Sequence, residues 1–277
     1  MPDATAWMHE RTWPEIKAYL DRDDVVLLPV GSTEQHGHHL PVMTDAAEAI
    51  AVALGAGERA GVLVAPPLWY GWTPHHMSYP GTVTLRAETL TALVEDVCQS
   101  LFCHGFRRIV VINGHRVANL PPIEVGVVKV RNRTGGQVLL YDLALGVRTE
   151  MRQLTSGEPG SVGHACEDET SQMLHSYGHL VHMDRARRAV HEPQGRFHLG
   201  GFSSPDPALP DMNMAWSPRT PEEFARASAP TGVAGDPTKA SAEKGARILQ
   251  AQVENVCELI EWCRQMPIEM KSFSIPI

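Results

Sequence analysis

Short runs of consecutive apolar residues alternate along the chain with longer segments in which apolar residues recur every three or four positions. The runs predict four buried strands, at residues 25–29, 62–65, 109–112 and 138–141. The periodic segments predict helices at residues 12–20, 44–54, 88–104, 123–133, 164–174 and 239–264. Because strands alternate with helices, we expect parallel strands joined by right-handed crossovers, in a layered α/β fold.

Gly and Pro separate the predicted elements. Gly55 is expected to end the second helix and Gly105 the third. Residues 83–85 are a candidate short strand, whereas 151–163 and 191–222 are predicted loops because they lack periodicity and contain Gly with Ser or Pro. The chain has no internal repeat, so the simplest interpretation is one domain over residues 1–277.

Composition narrows the class of protein. The 277 residues carry a formal net charge of −8, which argues against a nucleic-acid partner. The one dense basic cluster is short and is predicted to be a solvated or salt-bridging face; it consists of Arg185, Arg187 and Arg188. No apolar run approaches the roughly 20 residues of a membrane helix, and the N-terminus lacks a signal-peptide pattern. The five cysteines are odd in number and have no C-x-x-C spacing, so we expect a reduced, cytoplasmic protein.

Carboxylates and imidazoles are concentrated just after the first predicted strand. Within a dozen residues the chain contains Glu34, His36, His38, His39 and Asp45. Carboxylate oxygen and imidazole nitrogen together suit Zn²⁺, Mn²⁺ or Fe²⁺. The same residues could form a solvated turn, so this segment alone leaves both interpretations open.

Another histidine lies at the end of a second predicted strand. His115 follows residues 109–112 with two residues between them. In open parallel sheets the ligand site lies beyond the carboxyl ends of the strands. The topology could therefore bring His115 together with Glu34 and His36.

An aromatic loop and one arginine are candidates for substrate binding. Residues 68–82 are rich in Trp, Tyr and His, which is typical of the wall of a small-molecule pocket. Trp72 and His76 are the candidates in this loop, with structural packing as the alternative for each. Arg116, which adjoins His115, could hold a substrate carboxylate or pair with a nearby acid.

A histidine and three acids mark the start of a later helix. His164 precedes Glu167, Asp168 and Glu169, which fall in the first helical turn. Acids at this position interact favourably with the helix dipole, which is the plain explanation for them. Dipole stabilisation needs only one or two acids and no preceding histidine, so a role for this segment in the site stays open.

A series of motifs makes the chain similar to a known family. The motifs are Ser32-Thr33-Glu34-Gln35-His36-Gly37 with Thr44-Asp45, Tyr79-Pro80-Gly81-Thr82, Asn113-Gly114-His115, His164-Ala165 with Glu169-Thr170-Ser171, and Gly235-Asp236-Pro237-Thr238. In this order they resemble the creatininase (creatinine amidohydrolase) family over roughly residues 10 to 260. The resemblance implies a three-layer α/β/α domain around a mainly parallel sheet, and a homohexamer built as a trimer of dimers.

The resemblance also implies a two-metal centre. Glu34 and His115 would hold one metal and His36 the other, with Asp45 bridging both. In creatininases the last ligand is a Glu two positions after the histidine of Asn-Gly-His, but this chain has Val117 there. By resemblance to other members Glu169 takes this role, with Glu167 as the alternative. The expected cofactors are two divalent ions, zinc first and manganese or iron as alternatives, and His38 and His39 fall to outer or structural roles.

Family members typically hydrolyse carbon–nitrogen bonds in small amides. Two metal ions about 3.5–4 Å apart can share a water and lower its pKa towards about 7. The resulting hydroxide would attack an amide carbonyl, and His164 would protonate the leaving nitrogen. The predicted function is therefore hydrolysis of a small-molecule amide, cyclic or open.

Departures from the family pattern bear on the substrate. His38 stands where many members have Pro, and His75 where many have an acid. Since both lie near the expected pocket, they put creatinine itself in question. Two other functions compete with amide hydrolysis: a lactone or ester hydrolase using the same centre, and a metal-binding protein without catalysis.

Overall fold

The computed structural model describes residues 5–116, 118–156, 158–190 and 218–274. Four strands form one sheet: β1 (Val25–Val30), β2 (Leu63–Val64), β3 (Arg108–Asn113) and β4 (Gln137–Asp142). All pairs are parallel, and the spatial order is β2-β1-β3-β4. The predicted α/β fold with a parallel sheet is confirmed.

Helices cover both faces of the sheet. In chain order they are α1 (Trp13–Leu20), α2 (Thr44–Ala60), α3 (Ala87–Cys103), α4 (Leu120–Thr134), α5 (Leu143–Gly146), α6 (Arg148–Leu154), α7 (Glu167–Tyr177), α8 (Pro221–Ser228) and α9 (Ala242–Gln265). Right-handed crossovers place α2 on one face, and α3 and α4 on the other, because the chain reverses its direction across the sheet after β2. Helix α9 packs along α2 and α7. The three layers predicted from the resemblance are therefore present.

The two central strands are buried because of this layering. All six residues of β1 are buried, and in β3 only Arg108 is partly exposed. A strand covered by helices on both faces reads as a continuous apolar run, which is why the sequence identified these two best. Strand β2 is only two residues long and is followed, after Ala65, by Pro66 and Pro67, which cannot donate ladder hydrogen bonds.

The sheet has one topological switch point, between β1 and β3. From β1 the chain passes to β2 on one side, and from β3 it passes to β4 on the other. The two connections leave on opposite faces, which opens a crevice beyond the carboxyl ends of β1 and β3. The segment with Glu34 and His36 leaves β1 at this crevice, and His115 leaves β3 beside it.

Two glycines let the start of α2 approach both strand ends. A β-carbon at Gly31 would lie 2.4 Å from the Cα of Ala46, and one at Gly114 would lie 2.1 Å from the carbonyl oxygen of Asp45. Real β-carbons do not come this close to backbone atoms. Because residue 114 has no side chain, Asp45 can lie directly against the end of β3.

Replacing Gly114 with alanine is expected to push the first turn of α2 away from the strand ends. We expect the free energy of unfolding to fall by about 1–3 kcal/mol, as for other overpacked sites, and metal affinity to fall with it. Denaturant unfolding and metal titration check this. The matched control is Gly178→Ala, where a β-carbon would meet nothing within 4 Å; equal losses in both variants would contradict the explanation.

Two predicted element boundaries were wrong for identifiable reasons. Helix α2 continues past Gly55 and ends at Ala60, with Gly61 as its C-cap in a left-handed conformation (φ of 68°). Gly55 instead permits close helix packing, since a β-carbon there would lie 2.8 Å from a methyl carbon of Val253 on α9. Residues 83–85 form no strand: Val83 makes only an isolated antiparallel bridge with Thr33.

Three further boundaries differ in the second half of the chain. Helix α6 occupies residues 148–154, so the predicted loop 151–163 begins later. Helix α7 begins at Glu167 and not at His164, because Ala165 has a φ of 51° and Cys166 is the N-cap. Within the predicted loop 191–222, residues 191–217 lie outside the described residues, and α8 begins at Pro221.

The predicted absence of a membrane helix and the cysteine interpretation can be compared with the structure. Among the described residues, no helix combines the length and the apolar character needed to cross a bilayer. All five cysteines are free thiols, and three of them are buried: Cys98, Cys166 and Cys263.

Candidate metal centre

Four of the predicted ligands converge at the switch point. Glu34 and His36 come from the segment after β1, Asp45 from the first turn of α2, and His115 from the turn after β3. Their exposed fractions are 0%, 0%, 2% and 5%, respectively. Buried acids and imidazoles are costly unless they are paired with each other or with an ion.

Asp45 lies between two groups of possible ligands. One group consists of Glu34, Asp45 and His115, and the other of His36, Asp45 and Glu169; within each group, one ligand atom per residue lies within 4.8 Å of the others. Asp45 Oδ1 is 3.1 Å from His36 Nε2, and Oδ2 is 3.1 Å from His115 Nδ1. Each carboxylate oxygen of Asp45 therefore serves a different group.

Several atoms of these residues are buried without a hydrogen-bond partner among the described residues. They are both carboxylate oxygens of Glu34, Nε2 of His36, Oδ2 of Asp45 and Nε2 of His115. Buried polar atoms in proteins are nearly always satisfied, so such a cluster requires an explanation. Divalent ions held by carboxylate oxygen and imidazole nitrogen fit this donor set.

A local hydrogen bond also orients the imidazole ring of His36 for metal binding. His36 Nδ1 lies 3.2 Å from the carbonyl oxygen of Glu34, which can only accept, so Nδ1 carries a proton and Nε2, 3.1 Å from Asp45 Oδ1, is the nitrogen available to bind an ion. A backbone acceptor on one imidazole nitrogen, with the other nitrogen free to bind, is the usual arrangement of a metal-ligating histidine.

The charges of the centre shift the protonation of its members strongly. Burial acts to lower the pKa of His36, but the carboxylates of Asp45, Glu169 and Glu34 outweigh it and raise the pKa to about 10. Burial raises the pKa of Glu169 to about 8, with the charges of Asp168 and Asp45 adding to the effect and that of His36 opposing it. Cations bound between these groups would therefore displace protons.

The two candidates for the last ligand have different surroundings. Glu169 lies with His36 and Asp45, and its Oε2 accepts a hydrogen bond from the N–H of Cys166 at 3.3 Å. Glu167 is fully buried but points elsewhere: it pairs with Lys244 of α9 and accepts from the N–H of Ser156 at 2.8 Å. Val117, which replaces the ligand of creatininases proper, lies outside the described residues.

His164 borders the same cluster. Its Nδ1 lies 3.7 Å from Glu34 Oε1, and its ring centroid is 4.4 Å from that of His36. The backbone of His164 is fixed by two hydrogen bonds with Ala234, of 2.7 and 2.9 Å. Burial, together with the charge of His36, lowers the pKa of His164 to about 3, so this imidazole is neutral near pH 7.

The three predicted substrate-binding residues lie in different surroundings. His76 is buried, and its Nε2 is 3.3 Å from Glu34 Oε1, which places it against a proposed ligand. Trp72 packs against the main core, and its backbone N–H donates to Asn119 Oδ1 at 2.8 Å. Arg116 Nε lies 3.7 Å from Asp142 Oδ1, so Arg116 pairs with a nearby acid, which is one of the two roles predicted for it. For all three residues, substrate binding stays a prediction.

The remaining histidines of the region differ in their exposure. His38 is exposed, while His39 is buried with Nε2 2.9 Å from Thr170 Oγ1 on α7. The ring of His75 stacks on that of His115, with centroids 6.1 Å apart and planes 18° apart. Phe224 of α8 packs edge-on against His76 at 4.3 Å, which makes α8 a cover for this side of the centre.

Sequence reasoning missed three polar residues that organise the site. Asn119 donates to the carbonyl oxygen of Gly31 at 3.0 Å and accepts from Trp72, and Asn113 donates to the carbonyl oxygen of His115 at 2.8 Å. Glu48 is buried on α2, three positions after Asp45. Burial and the nearby charges of Glu169, Asp168 and Asp45 raise the pKa of Glu48 well above its usual range. Only Glu48 had a visible signal, namely the helical spacing from Asp45.

This geometry defines a class of protein: an α/β protein with a candidate metal centre at the switch point of a parallel sheet. The family model described as "Creatininase: Creatinine amidohydrolase" matches residues 9–260. The chain belongs to the creatininase family, which confirms the resemblance seen in the motifs.

Individual relatives span almost the whole chain. The creatinine amidohydrolase of Pseudomonas putida is 34% identical and covers 92% of this chain and 96% of its own. A mycofactocin precursor peptide peptidase of Mycobacterium ulcerans is 31% identical. The match covers 91% of this chain and 86% of that protein. A 3-dehydro-scyllo-inosose hydrolase of Thermotoga maritima is 28% identical. The match covers 90% of this chain and 80% of that protein.

Solved structures agree on the fold. A zinc–zinc form of a creatininase variant superposes with a TM-score of 0.74 at 30% identity, covering 94% of this chain and 98% of that one. A manganese form of creatininase gives a TM-score of 0.73 with the same identity and coverage. Creatininase structures are therefore known with both zinc and manganese.

Proposed function

We propose that this protein hydrolyses a carbon–nitrogen bond in a small amide, cyclic or open, at a centre of two divalent metal ions. The observation that carries the proposal is the position of Asp45, whose two oxygens face different ligand groups at 3.1 Å each. A carboxylate shared in this way is suited to bridge two ions. Zinc is the first choice, with manganese or iron as alternatives.

The residues divide into distinct roles in this proposal. Glu34, Asp45 and His115 would hold one ion, and His36, Asp45 and Glu169 the other. When bound, such ions acidify a water and polarise the amide carbonyl. His164, beside Glu34, would accept a proton from the attacking water and return it to the leaving nitrogen.

A second candidate is hydrolysis of a lactone or ester. The name of the relative from Thermotoga maritima refers to a hydrolase of an inosose, so it supports hydrolysis of substrates other than amides but not of a lactone or ester in particular. The relative from Mycobacterium ulcerans instead acts on a precursor peptide, which supports an amide substrate. A metal-binding protein without catalysis is the least supported candidate, because it gives no role to His164. Assembly as a homohexamer stays a prediction from the family resemblance.

Metal removal combined with a substrate screen tests the proposal. We expect the purified protein to hydrolyse at least one member of a panel of creatinine, formamides and short peptide amides, and to lose this activity after chelation. Zinc or manganese should restore it. Hydrolysis that survives complete metal removal, or turnover of lactones alone, would contradict the proposal.

Replacing His164 with asparagine tests the proton-transfer role. We expect kcat to fall about 10²–10⁴-fold while both metal ions remain bound, since general acid–base catalysis contributes this much. The control is His175→Asn, at an exposed position on α7. Loss of a metal ion in the His164 variant would instead identify His164 as a ligand.

A further inference from the structure

Gln35 lies between the two proposed ligands Glu34 and His36 and has polar contacts on every side. Its side chain is 6% exposed. Oε1 lies 2.9 Å from the backbone nitrogen of Gly37, and Nε2 lies 2.9 Å from the carbonyl oxygen of Gly232. Nε2 also lies 3.0 Å from His76 Nδ1 and 2.9 Å from His164 Nε2.

The two backbone partners fix the orientation of the Gln35 amide. The N–H of Gly37 can only donate, so the atom facing it must be the amide oxygen. The carbonyl of Gly232 can only accept, so the atom facing it must be the amide nitrogen. One of the two amide hydrogens is therefore used by Gly232, and one remains.

The backbone carbonyl of Gln35 determines the tautomer of His164. This oxygen lies 2.7 Å from His164 Nε2 and can only accept, so Nε2 carries the proton. A protonated Nε2 cannot accept the remaining amide hydrogen of Gln35. In the neutral ring the lone pair is then on Nδ1, the atom that faces Glu34.

The remaining amide hydrogen determines the tautomer of His76. With His164 excluded as an acceptor, this hydrogen goes to His76 Nδ1. His76 then carries its own proton on Nε2, which lies 3.3 Å from Glu34 Oε1. This assignment leaves the 2.9 Å approach of Gln35 Nε2 to His164 Nε2 as a contact between two donors, and it connects Gln35 through His76 to the proposed ligand Glu34.

We propose that Gln35 is a positioning residue that fixes both tautomers, so that His164 exchanges protons through Nδ1 and His76 turns its Nε2–H toward Glu34. The tautomers follow from the contacts alone, whereas the role in hydrolysis rests on the proposed function. In that reaction Nδ1 takes one proton from the attacking water. It gives this proton to the leaving nitrogen as the carbon–nitrogen bond breaks, so the imidazole ends neutral.

Neutron diffraction of deuterium-exchanged wild-type crystals tests the tautomers directly. We expect nuclear density for deuterium on Nε2 of both His164 and His76, and none on Nδ1 of either. Deuterium on Nδ1 of either histidine would overturn the assignment. Because this measurement needs no turnover, it stands even if the proposed hydrolysis is not found.

Side-chain variants test the positioning role. Gln35→Leu removes the amide but keeps the backbone carbonyl, so His164 should remain protonated on Nε2 while His76 loses its fixed tautomer. We expect kcat to fall about tenfold, at the low end for outer-shell partners, with KM and metal content little changed. Gln99→Leu is the matched control, because Gln99 is also buried but lies on α3 and donates to Glu95. A wild-type kcat for Gln35→Leu, or an equal loss in the Gln99 variant, would overturn the role.

Discussion

Replacing Asp45 with asparagine is expected to remove both metal binding and hydrolysis. The substitution keeps the shape of the side chain but takes away the charge that lies 3.1 Å from both His36 and His115. We expect kcat/KM to fall by about 10³-fold or more, because the ions supply several kcal/mol of transition-state stabilisation and about 1.4 kcal/mol is a factor of ten. Metal content per chain and steady-state kinetics, measured on the same preparation, check the result.

The matched control for this variant is Asp24→Asn. Asp24 lies just before β1, at the edge of the sheet opposite the centre, and forms an ion pair with Arg108 at 2.6 Å. This control should lower stability without changing metal content. If the Asp45 variant kept its metal ions and its activity, the bridging assignment would be wrong.

Replacing Glu169 and Glu167 with glutamine, one at a time, is expected to have two different effects, one on metal content and the other on stability. Glu169→Gln should lose one metal equivalent and about 10²-fold or more in kcat, since Glu169 is grouped with His36 and Asp45. Glu167→Gln should keep both ions and lose on the order of 2 kcal/mol of stability, because a charge-assisted contact with Lys244 is weakened.

The two variants control for each other. Both acids lie in the first turn of α7, and both changes are from glutamate to glutamine. A structural effect of the helix start would therefore appear equally in both. Loss of one metal equivalent in the Glu167 variant alone would contradict the assignment of Glu169 as a metal ligand.

The sequence predicted the central sheet because burial on both faces leaves a simple pattern. Strands β1 and β3 are nearly continuous apolar runs, and their carboxyl ends determine where Glu34, His36 and His115 lie. Periodicity located the helices but not all their ends. Gly55 was wrongly expected to stop α2, because its close approach to Val253 depends on tertiary packing, which local sequence does not reveal.

The ligand set came from the family resemblance and stays a prediction, which the grouping of these side chains at the switch point supports. The choice between Glu169 and Glu167 could not be made from the sequence, because both acids share one helical turn. The observation that favours Glu169 is the contact of Glu167 with Lys244, 77 positions later in the chain. Arg116 is a similar case, since its pairing with Asp142 depends on two adjacent strands.

The role of Gln35 left no signal in the sequence. A glutamine beside two ligands has no characteristic spacing, and its partners come from residues 76, 164 and 232. Such hydrogen-bond networks depend on the direction of each donor and acceptor, which only coordinates provide. The single-domain interpretation and the cytoplasmic location stay predictions.

Anomalous X-ray diffraction from crystals grown with zinc tests the central claim most directly. The account predicts two zinc peaks in each chain. One should lie among Glu34, Asp45 and His115 and the other among His36, Asp45 and Glu169, with an oxygen of Asp45 bound to each. A single peak, a pair of peaks that does not share Asp45, or no zinc at this edge of the sheet would contradict it.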